Sequence, residues 1–276
     1  MHKVEILNNS IAVIMSVYKN DDVEYLKLAC DSMLSQTVSC DLYIYRDGLV
    51  KSELQSILDE YACLSNVTLV ENDVNRGLAY GLNQLIEMCV KKDYSFVARM
   101  DSDDISFLNR LSLQVNYFSS HPDVDVCGGF CEEFGASYSL KEKRLPLDHK
   151  TLKKFSISRC PFIHPSVMFR MCVLKSGVRY PTNTYYCEDL ALWFDLLKKG
   201  FKLGNVNKVL LSYRMTEDTL QRRRGIKKAY SEFTLRLYYM FTLKEVTIKN
   251  FFLIISRFFF HLTPIRLMKL AYKIMR

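Results

Sequence analysis

The stretch SFVARMDSDD, residues 95–104, decides the fold. Ser95–Met100 reads as an apolar strand of the kind that is buried on both faces of a sheet. It empties into three carboxylates within four residues, Asp101, Asp103 and Asp104. Like charges that close repel, raising one another's pKa or destabilising the turn. A hard divalent cation, Mn²⁺ or Mg²⁺, relieves the repulsion and takes oxygen ligands. The alternative is a solvated acidic turn that caps the next helix through Asp104 or Ser106.

Working outward, the residues before this strand alternate between two periodicities. Ile11–Val17, Asp41–Tyr45 and Val67–Val70 read as strands. Val23–Leu34, Leu54–Leu64 and Gly77–Val90 carry apolar residues at helical spacing. Strands alternating with helices imply βαβ units and a largely parallel sheet flanked by helices. In such sheets ligands bind beyond the carboxyl ends of the strands. Those ends are Ser16-Val17-Tyr18, Arg46-Asp47-Gly48, Asn72-Asp73 running into Asn75-Arg76-Gly77, and the acidic cluster. Beyond it, Leu108–Phe118 reads as helix and Val124–Phe130 as strand. Residues 132–165, punctuated by Pro146, Pro161 and Pro165, read as a long functional loop. Glu188–Lys199 returns to helix, stopped by Gly200, and Phe201–Tyr213 to strand. After Thr216 the chain reads as helical, basic and aromatic.

The 276 residues are 49% apolar and 25% charged, an ordinary globular balance that excludes disordered, collagenous and coiled-coil classes. The net charge of +8 is uneven: residues 221–276 hold 13 Lys and Arg against 2 acids, and the remainder is slightly acidic. A tail so basic calls for an anionic partner. The nine cysteines form no CxxC pair, and several lie in apolar runs (Cys89, Cys127, Cys172). They read as buried reduced thiols of a cytoplasmic protein rather than zinc ligands. Ser10–Val17 is too short for a secretory signal, and no stretch has the length of a membrane span. The absence of a P-loop, a GxGxxG and a GxSxG elbow leaves NTPase, Rossmann oxidoreductase and hydrolase readings without support.

Seven motifs in register, SVYKND, RDG, NRGLAYGLN, ARMDSDD, HPSVMFR, CEDLALW and YRMTEDTLQRRR, resemble bacterial family 2 glycosyltransferases. The likeness runs from about Ile11 to Arg224 and is strongest to enzymes that extend O-antigen or capsule repeat units. It implies a GT-A fold and metal-dependent, inverting transfer of a hexosyl or N-acetylhexosaminyl group from a nucleotide-sugar, UDP-linked. The acceptor it implies is a polyprenyl-diphosphate-linked saccharide. Carried over, Asp103 and Asp101 hold the metal, with Asp101 also near the ribose, Ser102 beside them and Asp104 orienting its neighbours. The metal neutralises the departing nucleoside diphosphate. Asp189 is the base that removes the acceptor proton, and Glu188 positions the acceptor. Acids at a helix start are also favoured by the dipole alone. Asp47 is placed to accept the uracil N3–H, Tyr18 to flank the base, Ser16 to line its pocket and Arg76 to meet the nucleotide. His164, Arg222 and Arg223 are placed as acceptor or diphosphate contacts. Arg46 stands where the family usually has a further Asp.

The division expected is a catalytic domain over 1–216, with a donor half to about 105, and a helical extension over 217–276. In Asn250–Arg276 a Phe- and Ile-rich block is flanked by Arg257, Arg266, Lys269, Lys273 and Arg276. That pattern suits a helix lying on an anionic bilayer, hence a protein peripheral to the inner membrane face. The alternatives are packing on the catalytic domain and packing on a second copy in a homodimer. Nucleic acid lacks support, because the Phe residues cluster instead of interleaving with the cations. The competing function is a non-catalytic nucleotide-sugar or membrane-binding scaffold.

Overall fold

β1 (Ile11–Tyr18) runs between two parallel neighbours, β2 (Asp41–Asp47) and β4 (Phe96–Arg99), and β3 (Val67–Asn72) extends β2 on the far side. A strand paired on both edges and covered on both faces must be apolar throughout, and Ile11–Met15 are at most 1% exposed. The computed structural model describes residues 10–222 and 224–275.

The helices between these strands are α1 (Val23–Leu34), α2 (Ser52–Ala62) and α3 (Leu78–Val90). Asp22 caps α1 by accepting the N–H groups of Glu24 and Tyr25. Gly77 opens α3 at φ +91°, a left-handed conformation that glycine adopts without strain. Gly81 lets α3 lie close on the sheet, since a Cβ there would stand 2.6 Å from the Tyr45 ring.

The second half of the sheet is mixed. β5 (Ile105–Ser106), α4 (Arg110–Ser120) and β6 (Val126–Phe134) follow β4, then α5 (His149–Ser156) and β7 (Met168–Arg170). α6 (Met171–Lys175), α7 (Glu188–Lys198) and β8 (Leu203–Arg214) complete this half. β7 pairs antiparallel with β4 and β6, and β6 pairs parallel with β8, giving the order β3-β2-β1-β4-β7-β6-β8-β5. The sheet is largely parallel, as expected, and one apolar layer covers each face. Register shifts at Gly129/Phe130 and Phe130/Cys131 redirect β8, whose far end pairs with β5. That end brings Arg214 to the acidic turn.

Two expectations need correction. The loop read over 132–165 is partly folded: β6 continues to Phe134, Cys131 bridges Lys143, and α5 forms behind an Asp148 cap. An eight-residue helix has too few turns for its periodicity to stand out from the flanking prolines. All nine cysteines are free, but Cys63 and Cys172 are exposed, because α6 turns Cys172 outward.

The C-terminal region forms α8 (Thr219–Arg222), α9 (Ile226–Thr242), α10 (Ile248–Leu262) and α11 (Ile265–Met275). Tyr239 and Met240 of α9 and Ile254 of α10 join the same apolar cluster as Trp193 of α7. None of the described helices is long and apolar enough to cross a membrane.

Candidate active site

The carboxyl ends of β1, β2 and β4 and the N-terminus of α7 open on one cleft of about 1610 Å³. Single-ligand pockets are usually ~300–1,000 Å³, so there is room for two substrates. Ser16, Tyr18, Asp47, Arg76, Asp101, Ser102, Asp103, His164, Glu188 and Asp189 all line it. Arg223 and the side chain of Arg222, the remaining expected contacts, lie outside the described residues.

Ligand oxygens of Asp101, Asp103 and Asp104 lie within 4.8 Å of one another. Asp104 is 1% exposed; its Oδ1 accepts the Arg214 N–H at 2.7 Å, and its Oδ2 is buried with no partner among the described residues. Burial first, then the charges of Asp101 and Asp103, pushes its carboxyl well above the ordinary range. Three convergent carboxylates, one with an orphaned buried oxygen, fit a hard divalent cation. Asp104, which the sequence reading gave an orienting role, also brings a carboxylate oxygen into this cluster.

Two further charged groups frame this turn. Arg99 is 1% exposed and pairs with Asp101, while its Nε and Nη1 have no partner among the described residues. Asp21 Oδ2 accepts the Tyr18 N–H at 3.0 Å and the Ser102 hydroxyl at 2.8 Å, so it ties the end of β1 to the acidic turn. Burial, reinforced by Asp103 and Asp101, raises Asp21 to about 7. Sequence reading missed both. Arg99 is a lone charge in a buried strand, and that mismatch was a usable signal. Asp21 is hidden by the Asp22 cap beside it.

Asp47 is 3% exposed, and its carboxylate accepts the backbone N–H groups of Arg76 and Gly77 at 2.7 and 2.8 Å. It thereby fixes the turn that starts α3. The Arg76 guanidinium lies 5.0 Å from the centre of the Tyr80 ring. Arg46 pairs with Glu71 and Asp73, which explains why a cation suits that position.

Across the cleft, α7 begins with Glu188 and Asp189. The preceding Tyr186 has φ +52°, a strained conformation for a tyrosine of the kind found at functional turns. Burial first, then the charge of Asp189, raises Glu188. Cys160 approaches Asp189 Oδ2 at 3.6 Å. His164 Nε2 lies 2.9 Å from the Tyr180 hydroxyl, and Asn83 of α3 clamps the Tyr180 backbone with two 2.8 Å hydrogen bonds. Burial, then nearby Arg99, depresses the His164 pKa well below its usual value, so its ring is neutral.

The extension closes the cleft. Glu232 of α9, 4% exposed, accepts from Arg236 at 2.7 Å and Arg257 at 2.6 Å and lies 3.0 Å from His261 Nε2. Burial alone would raise this carboxyl, but Arg236 and Arg257 hold it well below the ordinary range. Arg257, expected on the membrane side, faces inward because a buried carboxylate needs a partner.

Residues 12–177 match the family described as Glycosyl transferase family 2. The chain is 33% identical over 266 residues to an Escherichia coli UDP-Gal:alpha-D-GlcNAc-diphosphoundecaprenol beta-1,3-galactosyltransferase, covering 95% of this chain and 94% of the relative. It is 30% identical over 245 residues to the E. coli O-antigen biosynthesis glycosyltransferase WbnJ, covering 87% and 92%. S. aureus TarS 1–349 in complex with UDP-GlcNAc superposes with a TM-score of 0.61 at 14% identity, covering 90% of this chain and 79% of that one. The fold is GT-A, and the chain belongs to glycosyl transferase family 2, among the glycosyltransferases of surface-polysaccharide biosynthesis.

Proposed function

We propose that this family 2 enzyme moves a hexosyl or N-acetylhexosaminyl group, with inversion, from a UDP-sugar to a saccharide carried on a lipid diphosphate. The observation that carries the reading is that Asp101 and Asp103 of the acidic cluster and the Glu188–Asp189 pair line one cleft with space for donor and acceptor. The first suits a donor diphosphate at the strand ends, and the second supports a base on the acceptor side.

Asp101, Asp103 and Asp104 would hold Mn²⁺ or Mg²⁺, which when bound would supply positive charge to balance that of the leaving diphosphate. Ser16, Tyr18, Asp47 and Arg76 surround the nucleoside, with Asp47 acting partly by holding the Arg76–Gly77 turn. Asp189 takes the proton of the acceptor hydroxyl, whose oxygen attacks the anomeric carbon on the face opposite the leaving group. Glu188 and neutral His164 position the acceptor. Residues 1–216 form the catalytic domain, and 217–276 an extension that completes the acceptor wall and rests on an anionic membrane surface from the cytoplasmic side.

The test is transfer from a panel of UDP-sugars to an α-linked N-acetylglucosaminyl diphosphate bearing a short alkyl chain, with Mn²⁺ or with chelator. Metal-dependent product with the opposite anomeric configuration to the donor is expected. Retained configuration, or full turnover in chelator, overturns the reading.

A further inference from the structure

Beside the Glu188–Asp189 pair the extension gathers more positive charge than its own carboxylate can balance. Lys228, Arg236 and Arg257 all pair with the single Glu232, and all four line the cleft. Arg236 is fully engaged, since Nη1 also donates to the Ser156 and Ile157 carbonyls. Arg257 is not: its Nε is bonded to Glu232, its side chain is 31% exposed, and its two terminal nitrogens have no hydrogen bond among the described residues. Lys228 Nζ touches the Tyr186 carbonyl and lies 3.2 Å from Cys187 Sγ, one residue before Glu188. A largely desolvated site with surplus charge is stabilised by an anion, and guanidinium and ammonium groups suit phosphate oxygens.

The donor diphosphate has its own place at the acidic turn. We infer that Lys228 and Arg257, backed by Arg236 and set around Glu232, form a second anion subsite that takes the diphosphate of the acceptor. The inference rests on the acceptor reading above and deepens it. In an acceptor whose first sugar is joined directly to diphosphate, the reacting hydroxyl and the diphosphate are one ring apart. Lys228, adjacent to the turn that carries Glu188 and Asp189, is placed for that spacing. Arg257 lies farther along, on α10, where Phe259 and Phe260 also line the cleft and Phe259 is 62% exposed. The wall thus passes from catalytic acids to cations to an exposed apolar helix, the order of sugar, diphosphate and lipid in the acceptor. Glu232 keeps the cations parted and fixed, as a pre-organised anion site requires.

The experiment compares two soluble acceptors that differ only in the linkage: an α-N-acetylglucosaminyl diphosphate with a short alkyl chain, and the phosphate-free α-glycoside with the same chain. Read as the ratio of their kcat/KM values, the preference for the diphosphate should fall about 10–100-fold in Arg257→Gln and in Lys228→Gln, the range for losing one charge-assisted hydrogen bond. Glu232 stays paired with Arg236 in both variants, and the KM for the UDP-sugar reports that the donor side is intact. An unchanged preference overturns the proposal, as does a rise in donor KM that accounts for the whole loss. Loss of binding to phosphatidylglycerol vesicles with an intact preference would assign the cations to a lipid headgroup and also overturn it. Calorimetric titration of the diphosphate compound in chelator reads the subsite without turnover, so a wrong donor or reaction does not mask it. Binding by the native protein, weakened at least tenfold in Arg257→Gln, supports the subsite, and no binding by the native protein overturns it.

Discussion

Arg99 pairs with Asp101 from inside the sheet, so the acidic turn has a buried counter-charge on its protein side. The same guanidinium lowers the His164 pKa, a contribution second only to burial. Arg99→Met keeps an unbranched apolar stem and removes the guanidinium with its charge. The His164 ring should then titrate closer to 6.5, measured by the pH dependence of its imidazole NMR signals. Transfer should fall at least about tenfold, because Asp101 loses the partner that orients it. A His164 titration that does not move would show that the two groups are not electrostatically linked.

The three-carboxylate turn predicts a linkage between metal and stability. A ligand at ~100 times its Kd stabilises by about 2.7 kcal/mol. Saturating Mn²⁺ should raise the melting temperature of the native chain by several degrees, and Asp103→Asn should lose most of that rise along with transfer. A Mn²⁺ shift that survives in Asp103→Asn would place the ion elsewhere.

Asp21 sets a pH dependence whose sign follows from its position. Its carboxyl is raised from 3.8 to about 7 by burial, with Asp103 and Asp101 adding to it, so the folded state holds the proton more tightly than the unfolded chain. Stability from this group is present below the unfolded value and is lost as pH rises through the folded one, with a slope of at most about 1.4 kcal/mol per pH unit. Asp21→Asn should flatten the decline in metal-free stability between pH 4 and 7 and leave the variant more stable at pH 8. Denaturant midpoints across that range test this, and parallel profiles for the two proteins would refute it.

The acid–base assignment rests on the turn into α7. Asp189→Asn keeps a group of the same shape at the helix start but cannot take a proton. Its kcat should drop by ~10²–10⁴, the usual worth of a general base. UDP and Mn²⁺ affinities should hold, because the proposed role of Asp189 is on the acceptor side. If UDP affinity collapses with the rate, the residue serves as a donor ligand or helix cap instead.

The parallel half of the sheet was legible because each strand is a short apolar run and each helix a clear 3.6-residue pattern. Strand ends then pointed to Asp47 and the acidic turn by topology alone. The second half was harder to read. β5 has two residues and β7 three, too few for any periodicity, and α5 is two turns. The charges missed were Arg99, Asp21 and the Lys228–Glu232–Arg257 group. Asp21 with Ser102 and Glu232 with Arg257 are partners distant in sequence, beyond the reach of local spacing, whereas Arg99–Asp101 and Lys228–Glu232 are local pairs that only their burial sets apart from ordinary surface charges. The basic tail was correctly read as helical, but its total charge hid the fact that Arg236 and Arg257 point inward.

That inward pairing also changes how the membrane reading must be tested. Deleting residues 250–276 would remove Arg257 and His261 from Glu232 and Ile254 from the core, so loss of function after truncation would say nothing about lipid. The outer face of α10 offers a cleaner probe. Ile248 is 79% exposed and Phe252 64%, neither lines the cleft, and exposed Lys249 and Arg266 are at hand for anionic headgroups. Burying one such apolar side chain is worth ~1.5–3 kcal/mol, and each cation near an anionic surface about 1 kcal/mol. The double variant Ile248→Ser/Phe252→Ser should bind phosphatidylglycerol vesicles at least about tenfold more weakly than the native chain, with the same melting temperature to within a few degrees. Native binding should weaken with added salt but persist, because screening acts on the cations and leaves the apolar contribution in place. Vesicle binding that is equal in the two proteins, or absent in both, would mean that this face meets something other than lipid.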